Sequence, residues 1–206
     1  MKLYYAPGAC SLSPHIALSE SGLPFDLVKV DLKAKTTEAG DDFTKINAKG
    51  SVPALGLDDG GVLTEGPAIV QMIADKVGNG KLAPANGTAE RYRLQEWLNF
   101  ISTDLHKSFG PLFQPALSDE TKQFFKDRIG KYFGYADKQL AGKDYLMGAQ
   151  FSVADGYLFV MLLWAERMKI DISSFANLTA YKARVGARPK VQAALVSEGL
   201  MKAASA

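Results

Sequence analysis

The sequence predicts an α/β domain followed by an all-α domain, and three observations carry that reading. Residues 1–80 alternate strand-like and helix-like segments, punctuated by Gly and Pro. Residues 81–87, KLAPANG, are rich in Pro, Gly, Asn and Ala and read as a linker. Residues 88–206 show helical periodicity and no strand alternation. At about 100–200 residues per domain, 206 residues hold one large domain or two small ones.

Each element has its own signal. Lys2-Leu3-Tyr4-Tyr5 reads as a short strand, followed by a Pro7-Gly8 turn. Leu12–Ser21 reads as a helix, with Pro14 in the first turn, where its missing N–H costs nothing. Gly22 and Pro24 stop it. Phe25–Leu32 alternates and reads as a second strand. Residues 33–49 are polar, with a short helix expected around Asp41–Ile46. Val52–Leu57 reads as a third strand, Asp58-Asp59-Gly60-Gly61 as a hairpin turn, and Val62-Leu63 as the returning strand. A helix follows from Pro67 to about Val77 and ends at Gly78-Asn79-Gly80. Beyond the linker, helices are expected at Thr88–Phe109, Asp119–Leu140, Val153–Met168, Asn177–Ala187 and Pro189–Val196.

Two of these helices carry further information. Leu94, Trp97, Leu98, Ile101 and Leu105 form a core stripe on Thr88–Phe109. Asn99, Thr103 and His106 follow at i, i+4 and i+7 on another face, flanked by Lys107. Such a line is either a solvated face or the wall of a cleft. Ser152-Val153-Ala154-Asp155 reads as a capping box, worth on the order of 1 kcal/mol, that launches the most apolar helix of the chain.

Composition excludes several classes. Hydrophobic residues are 47% and charged residues 22%, ordinary for a folded protein. The longest apolar run, Tyr157–Ala165, is far short of the roughly 20 residues of a membrane span. The first eight residues contain no signal-like apolar stretch, so a cytoplasmic protein without a membrane partner is expected. Net charge is −3 over residues 1–80 and +5 over 81–206, without a run of like charge or a nucleic-acid-binding motif. One cysteine and two histidines, with no HExxH, argue against a disulfide or a metal.

Three places can carry chemistry. Cys10 follows a strand and a Pro-Gly turn and directly precedes a helix. A thiol there faces free backbone amides and the positive end of the helix dipole, and both favour the thiolate. Cys10-Ser11-Leu12-Ser13 looks like a redox C-x-x-C whose second Cys is Ser. Any disulfide of Cys10 is therefore made with another molecule, most economically a small thiol. Thr64-Glu65-Gly66-Pro67 opens a helix whose free amides can hold a carboxylate while Glu65 holds an ammonium, the head group of an amino acid. The plainer reading of Glu65 is a first-turn acid. Val52-Pro53 opens the third strand, and only about 5–6% of X–Pro bonds are cis.

Taken together, residues 2–22, 49–71, 96–109, 151–159 and 187–200 resemble a glutathione transferase, and Cys10 with His106-Lys107 resembles the bacterial beta class in particular. The resemblance implies a thioredoxin-like N-terminal domain over residues 1–80, a linker at 81–87 and an all-helical domain over 88–206. It implies a homodimer with a glutathione site in the cleft between domains. It makes Pro53 cis and pairs Val52 by backbone with the cysteinyl part of glutathione. Glu65 and Gly66 would hold the γ-glutamyl head and Lys35 the glycine carboxylate. Asn99, Thr103, Asp104 and Leu105 complete the binding set, the first three across the dimer interface. Cys10, His106 and Lys107 are the implied catalytic residues. Glutathione is then the co-substrate, with no metal, and its partner is a small hydrophobic electrophile.

Conjugation needs the glutathione thiolate, which donors at sulfur stabilise. Cys10 can act as such a donor, or can itself be the thiolate and form a mixed disulfide. The expected function is conjugation together with thiol-disulfide exchange through Cys10. The competing readings are a glutathione-dependent oxidoreductase or reductive dehalogenase, and a non-catalytic protein binding apolar ligands or an antibiotic. For the last, Phe109–Phe113 either lines a pocket or belongs to the core.

Overall fold

The computed structural model describes residues 1–78 and 80–202; Asn79, expected at the end of a helix, lies outside them. The chain forms two compact units, Met1–Ala83 with the tail from Arg188, and Pro84–Ala187.

In the first unit, β1 (Lys2–Tyr5), α1 (Leu12–Ser21) and β2 (Asp26–Asp31) make the parallel β-α-β expected from the alternation. The polar excursion holds β3 (Thr36–Thr37), a strand the sequence did not announce, and α2 (Phe43–Ile46). Then come β4 (Ala54–Gly56), β5 (Val62–Thr64) and α3 (Gly66–Val77). The sheet order is β3-β2-β1-β4-β5. β1 pairs antiparallel with β4, Leu3 opposite Leu55, and β4 pairs antiparallel with β5.

Alternation along the strands supplies two apolar faces. Leu3, Leu55, Ile16, Ile69 and Ile73 are fully buried, and α1 packs on α3. Val30, Phe43, Val52 and Ala54 form a separate buried cluster joined by Tyr4, whose ring lies 5.7 Å from that of Phe43.

The tail departs from the sequence expectation, which placed it with the helical domain. α9 (Pro189–Ser197) packs against α1 of the first unit. Its buried face is Val191, Ala194 and Leu195. The Arg188 guanidinium forks onto the nearly buried Glu20 at 2.7 and 2.8 Å. With α3 and α9 both against it, α1 is buried almost all round. That is why it has no marked polar face to betray its neighbours.

The second unit is helical throughout. Asp119–Leu140 forms α6 as expected, and Val153–Arg167 forms α7, one residue short of the expected Met168; α8 is Ala176–Gly186. α7 is buried along nearly its whole length and is the centre of this unit. The carboxylate of Asp155 accepts from the Ser152 amide at 2.7 Å, the Ser152 hydroxyl at 2.8 Å, the Leu146 amide at 2.8 Å and the Tyr181 hydroxyl at 3.0 Å. The capping box read from the sequence is present, and the Ser152 hydroxyl also donates to the carboxylate. Burial raises the Asp155 pKa against these bonds.

The expected helix at Thr88–Phe109 is interrupted. α4 (Ala89–Phe100) runs into a π-helical turn, Ile101–His106, before α5 (Lys107–Phe109) and a 3₁₀ turn, Gly110–Phe113. Ser102 and Thr103 hydroxyls both donate to the Asn99 carbonyl, and Ser108 to that of Asp104 at 2.6 Å. Hydroxyls that take carbonyls of the preceding turn compete with the i→i−4 ladder. Among the described residues no helix is long and apolar enough to cross a membrane.

Candidate functional site

The first unit positions Cys10 through the Ala6–Ala9 turn. Pro7 and Gly8 sit at its centre, Gly8 at φ 68°, and the Ala9 amide donates to the Ala6 carbonyl. Gly8 also lies against the tail. A Cβ there would meet a Leu200 methyl at 3.3 Å, and the Gly8 amide donates to Glu198 at 2.8 Å. The Ser11 hydroxyl bridges the Ala6 amide and carbonyl. Cys10 is thereby held half-buried at the start of α1 with its thiol donating to the Val52 carbonyl at 3.4 Å.

One expectation for Cys10 is corrected here. The amides of Leu12 and Ser13 are not free for a thiolate; they donate to the carbonyls of Ala9 and Cys10 in tight turns. What remains of the sequence argument is the dipole of the ten-residue α1.

Val52 is buried, and its bond to Pro53 is cis. Its carbonyl stands beside the thiol, and Ala54 begins β4. At the start of α3, Glu65 has φ 72° and Gly66 has open space where a Cβ would lie. Pro67 brings no N–H, and the first amides of α3 lie outside its own ladder. The exposed Glu65 carboxylate takes Lys49, whose ammonium also reaches the Thr64 hydroxyl at 3.0 Å. Lys49 was missed from the sequence; its only signal is lying three residues before Val52. Lys35 donates to the Gly50 carbonyl at 2.7 Å.

The second unit holds the other group. His106 ends the π turn. Its Nδ1 lies 2.6 Å from the Tyr157 hydroxyl, and Trp164 stands edge-to-face against its ring at 4.9 Å. Burial, with the adjacent Lys107 charge, pushes its pKa down to about 4, so the ring is neutral at pH 7. Lys107 is exposed. Asn99 and Thr103 are exposed and linked by the Thr103 hydroxyl at 2.9 Å. The i, i+4, i+7 line therefore breaks at its last member, which turns to the aromatic core. Asp104 accepts from the Tyr132 hydroxyl on α6 at 3.2 Å. The Leu105 side chain is fully buried, which leaves only its backbone for a ligand.

Phe109 is core, whereas Phe113 is 40% exposed, and both rings meet Trp164, at 5.7 and 5.1 Å. Phe109 thus belongs to the core, and Phe113 stands exposed beside it. Among the described residues no group of three or more His, Cys, Asp or Glu is arranged to hold a metal ion.

Comparison with known proteins agrees across both units. Residues 8–76 match the glutathione S-transferase N-terminal domain and residues 103–198 the glutathione S-transferase C-terminal domain. The chain is 46% identical over 200 residues to glutathione S-transferase GstA of Escherichia coli O157:H7, covering 97% of this chain and 100% of that protein. A bacterial beta-class glutathione S-transferase of Sphingomonas chungbukensis superposes with a TM-score of 0.94 at 52% identity, covering 98% and 100% of the two chains. A sphingomonad glutathione S-transferase complexed with glutathione gives 0.94 at 50%, with the same coverage.

Proposed function

The chain belongs to the glutathione S-transferase family, in its bacterial beta class, and we propose that it joins the sulfur of glutathione to small hydrophobic electrophiles. The observation that carries the reading is the placement of the lone thiol. Cys10 opens α1 with its Sγ on the carbonyl of Val52, whose bond to Pro53 is cis. Glutathione is the co-substrate. Val52 offers its backbone to the cysteinyl unit, with Pro53 shaping that approach. Glu65 takes the ammonium and the Gly66 end of α3 the carboxylate of the γ-glutamyl head. Lys35 serves the glycine carboxylate, and Asn99, Thr103, Asp104 and the Leu105 backbone complete the set.

Cys10, His106 and Lys107 are the proposed catalytic residues. In conjugation the glutathione thiolate attacks the electrophile and the leaving group departs; a neutral His106 N–H and the Lys107 charge stabilise negative charge on sulfur. In exchange, the Cys10 thiolate attacks oxidised glutathione, one glutathione leaves as thiolate, and a second glutathione releases Cys10. The exposed ring of Phe113 suits an aromatic electrophile. The active form is a homodimer in the cytoplasm. The exposed rings of Tyr92, Phe124 and Tyr135 on α4 and α6 suit burial against a second copy.

Intact mass after brief exposure to oxidised glutathione tests the reading, with and without excess S-methylglutathione. One glutathionyl adduct, formed faster than on free cysteine and blocked by the competitor, is expected. A slow adduct that the competitor ignores would overturn it.

A further inference from the structure

We propose that Tyr157 is a positioning residue that fixes the tautomer of His106: its phenol donates to Nδ1 and leaves the ring proton on Nε2. The two atoms lie 2.6 Å apart, and the rings meet at 87° with centroids 5.8 Å apart. Tyr157 is buried in α7, the central helix of its unit, whose start is pinned by the four donors to Asp155. Trp164, about two turns further along the same face of α7, closes against the imidazole at 82°. The ring is therefore held from two positions on one rigid element.

Chemistry decides which atom donates. A neutral imidazole has one N–H and one lone pair, so Nδ1 either gives a proton to the phenol oxygen or takes one. The pKa near 4 keeps the ring neutral across physiological pH. A ring nitrogen is a far better base than a phenol oxygen, and a phenol O–H is the better acid of the two donors. The short separation fits O–H···N. Among the described residues the Tyr157 hydroxyl is the ring's hydrogen-bond partner, so the Nε2–H is left for another acceptor. The catalytic consequence rests on the role proposed for His106; the tautomer itself does not.

Long-range ¹H–¹⁵N spectra of the ¹⁵N-labelled protein at pH 7 read the tautomer directly. The chain has two histidines, and loss of one signal set in His106→Asn assigns the other to His15. The expected spectrum has His106 Nδ1 unprotonated and Nε2 protonated. In Tyr157→Phe the two nitrogen shifts converge as the tautomers mix, and kcat for conjugation falls about tenfold while the glutathione KM holds within about twofold. A protonated Nδ1 in the native protein overturns the proposal, and that spectrum alone decides if Tyr157→Phe does not fold. Unchanged His106 shifts in a folded Tyr157→Phe also overturn it, as does an unchanged kcat there when His106→Ala has lost turnover. Full turnover in His106→Ala would instead remove the catalytic role and leave the tautomer standing.

Discussion

The imidazole Nδ1 of His15 lies 2.8 Å from the Glu198 carboxylate, 183 residues along the chain, and both side chains are buried. The second Glu198 oxygen takes the Gly8 amide at 2.8 Å, two residues before Cys10. One carboxylate thus ties the cysteine loop, the first helix and the tail. Removing it strands a buried imidazole and takes one partner from the half-buried Gly8 amide. Glu198→Ala is expected to cost about 3 kcal/mol, read as a lower urea midpoint at unchanged slope. Combined with His15→Ala it should cost less than the two losses added, because they share one bond. A loss under about 1 kcal/mol would mean that the tie is idle.

Glu65 has the opposite character. Its carboxylate and its Lys49 partner are both more than half exposed, so the pair contributes about 0–1 kcal/mol to stability. Glu65→Ala is expected to leave the urea midpoint nearly unchanged. The same variant should raise the glutathione KM about tenfold, the scale of one lost ammonium–carboxylate contact. A stability loss without an affinity loss would make Glu65 a structural residue.

Cys10→Ala separates the two proposed reactions. Disulfide exchange requires the Cys10 sulfur, whereas conjugation requires only a glutathione thiolate. Exchange with oxidised glutathione is expected to vanish and a measurable part of conjugation to survive. Equal loss of both rates would refute the dual role.

The parts of the fold legible in sequence are those fixed by local chemistry. α1 ends where Gly22 and Pro24 stop it, and α7 begins at its Ser152 cap. Asp155 was read as half of a capping box with Ser152, and its carboxylate also gathers donors from Leu146 and Tyr181 outside the motif. β3, of two residues, is too short to carry a period. The π turn was hidden because one extra residue per turn leaves the apolar positions Ile101 and Leu105 buried as in an ordinary helix. Its visible trace was the run Ser102, Thr103 and Ser108, whose hydroxyls capture carbonyls. His15 carried no signal at all, because its partner lies at the far end of the chain.

The neutral state of His106 makes acid the condition in which its burial costs most. Folded, its pKa is about 4; unfolded, about 6.5. Between these values the unfolded chain binds a proton that the folded chain refuses, so stability falls as pH drops from about 6.5 towards about 4. Above about 6.5 the contribution is complete. The span is worth on the order of 3 kcal/mol at its acid end. Other groups contribute to the pH dependence too, but they are common to the native protein and a His106→Gln variant. The difference between the two urea midpoints is therefore the measurement. Native protein should lose stability relative to His106→Gln as pH is lowered from 7.5 to 5, with most of the change below pH 6. A difference that stays flat would mean that the ring gains its proton in the folded state as easily as in water, and a charged imidazole would then have to be reckoned beside Lys107 in any account of how the sulfur anion is held.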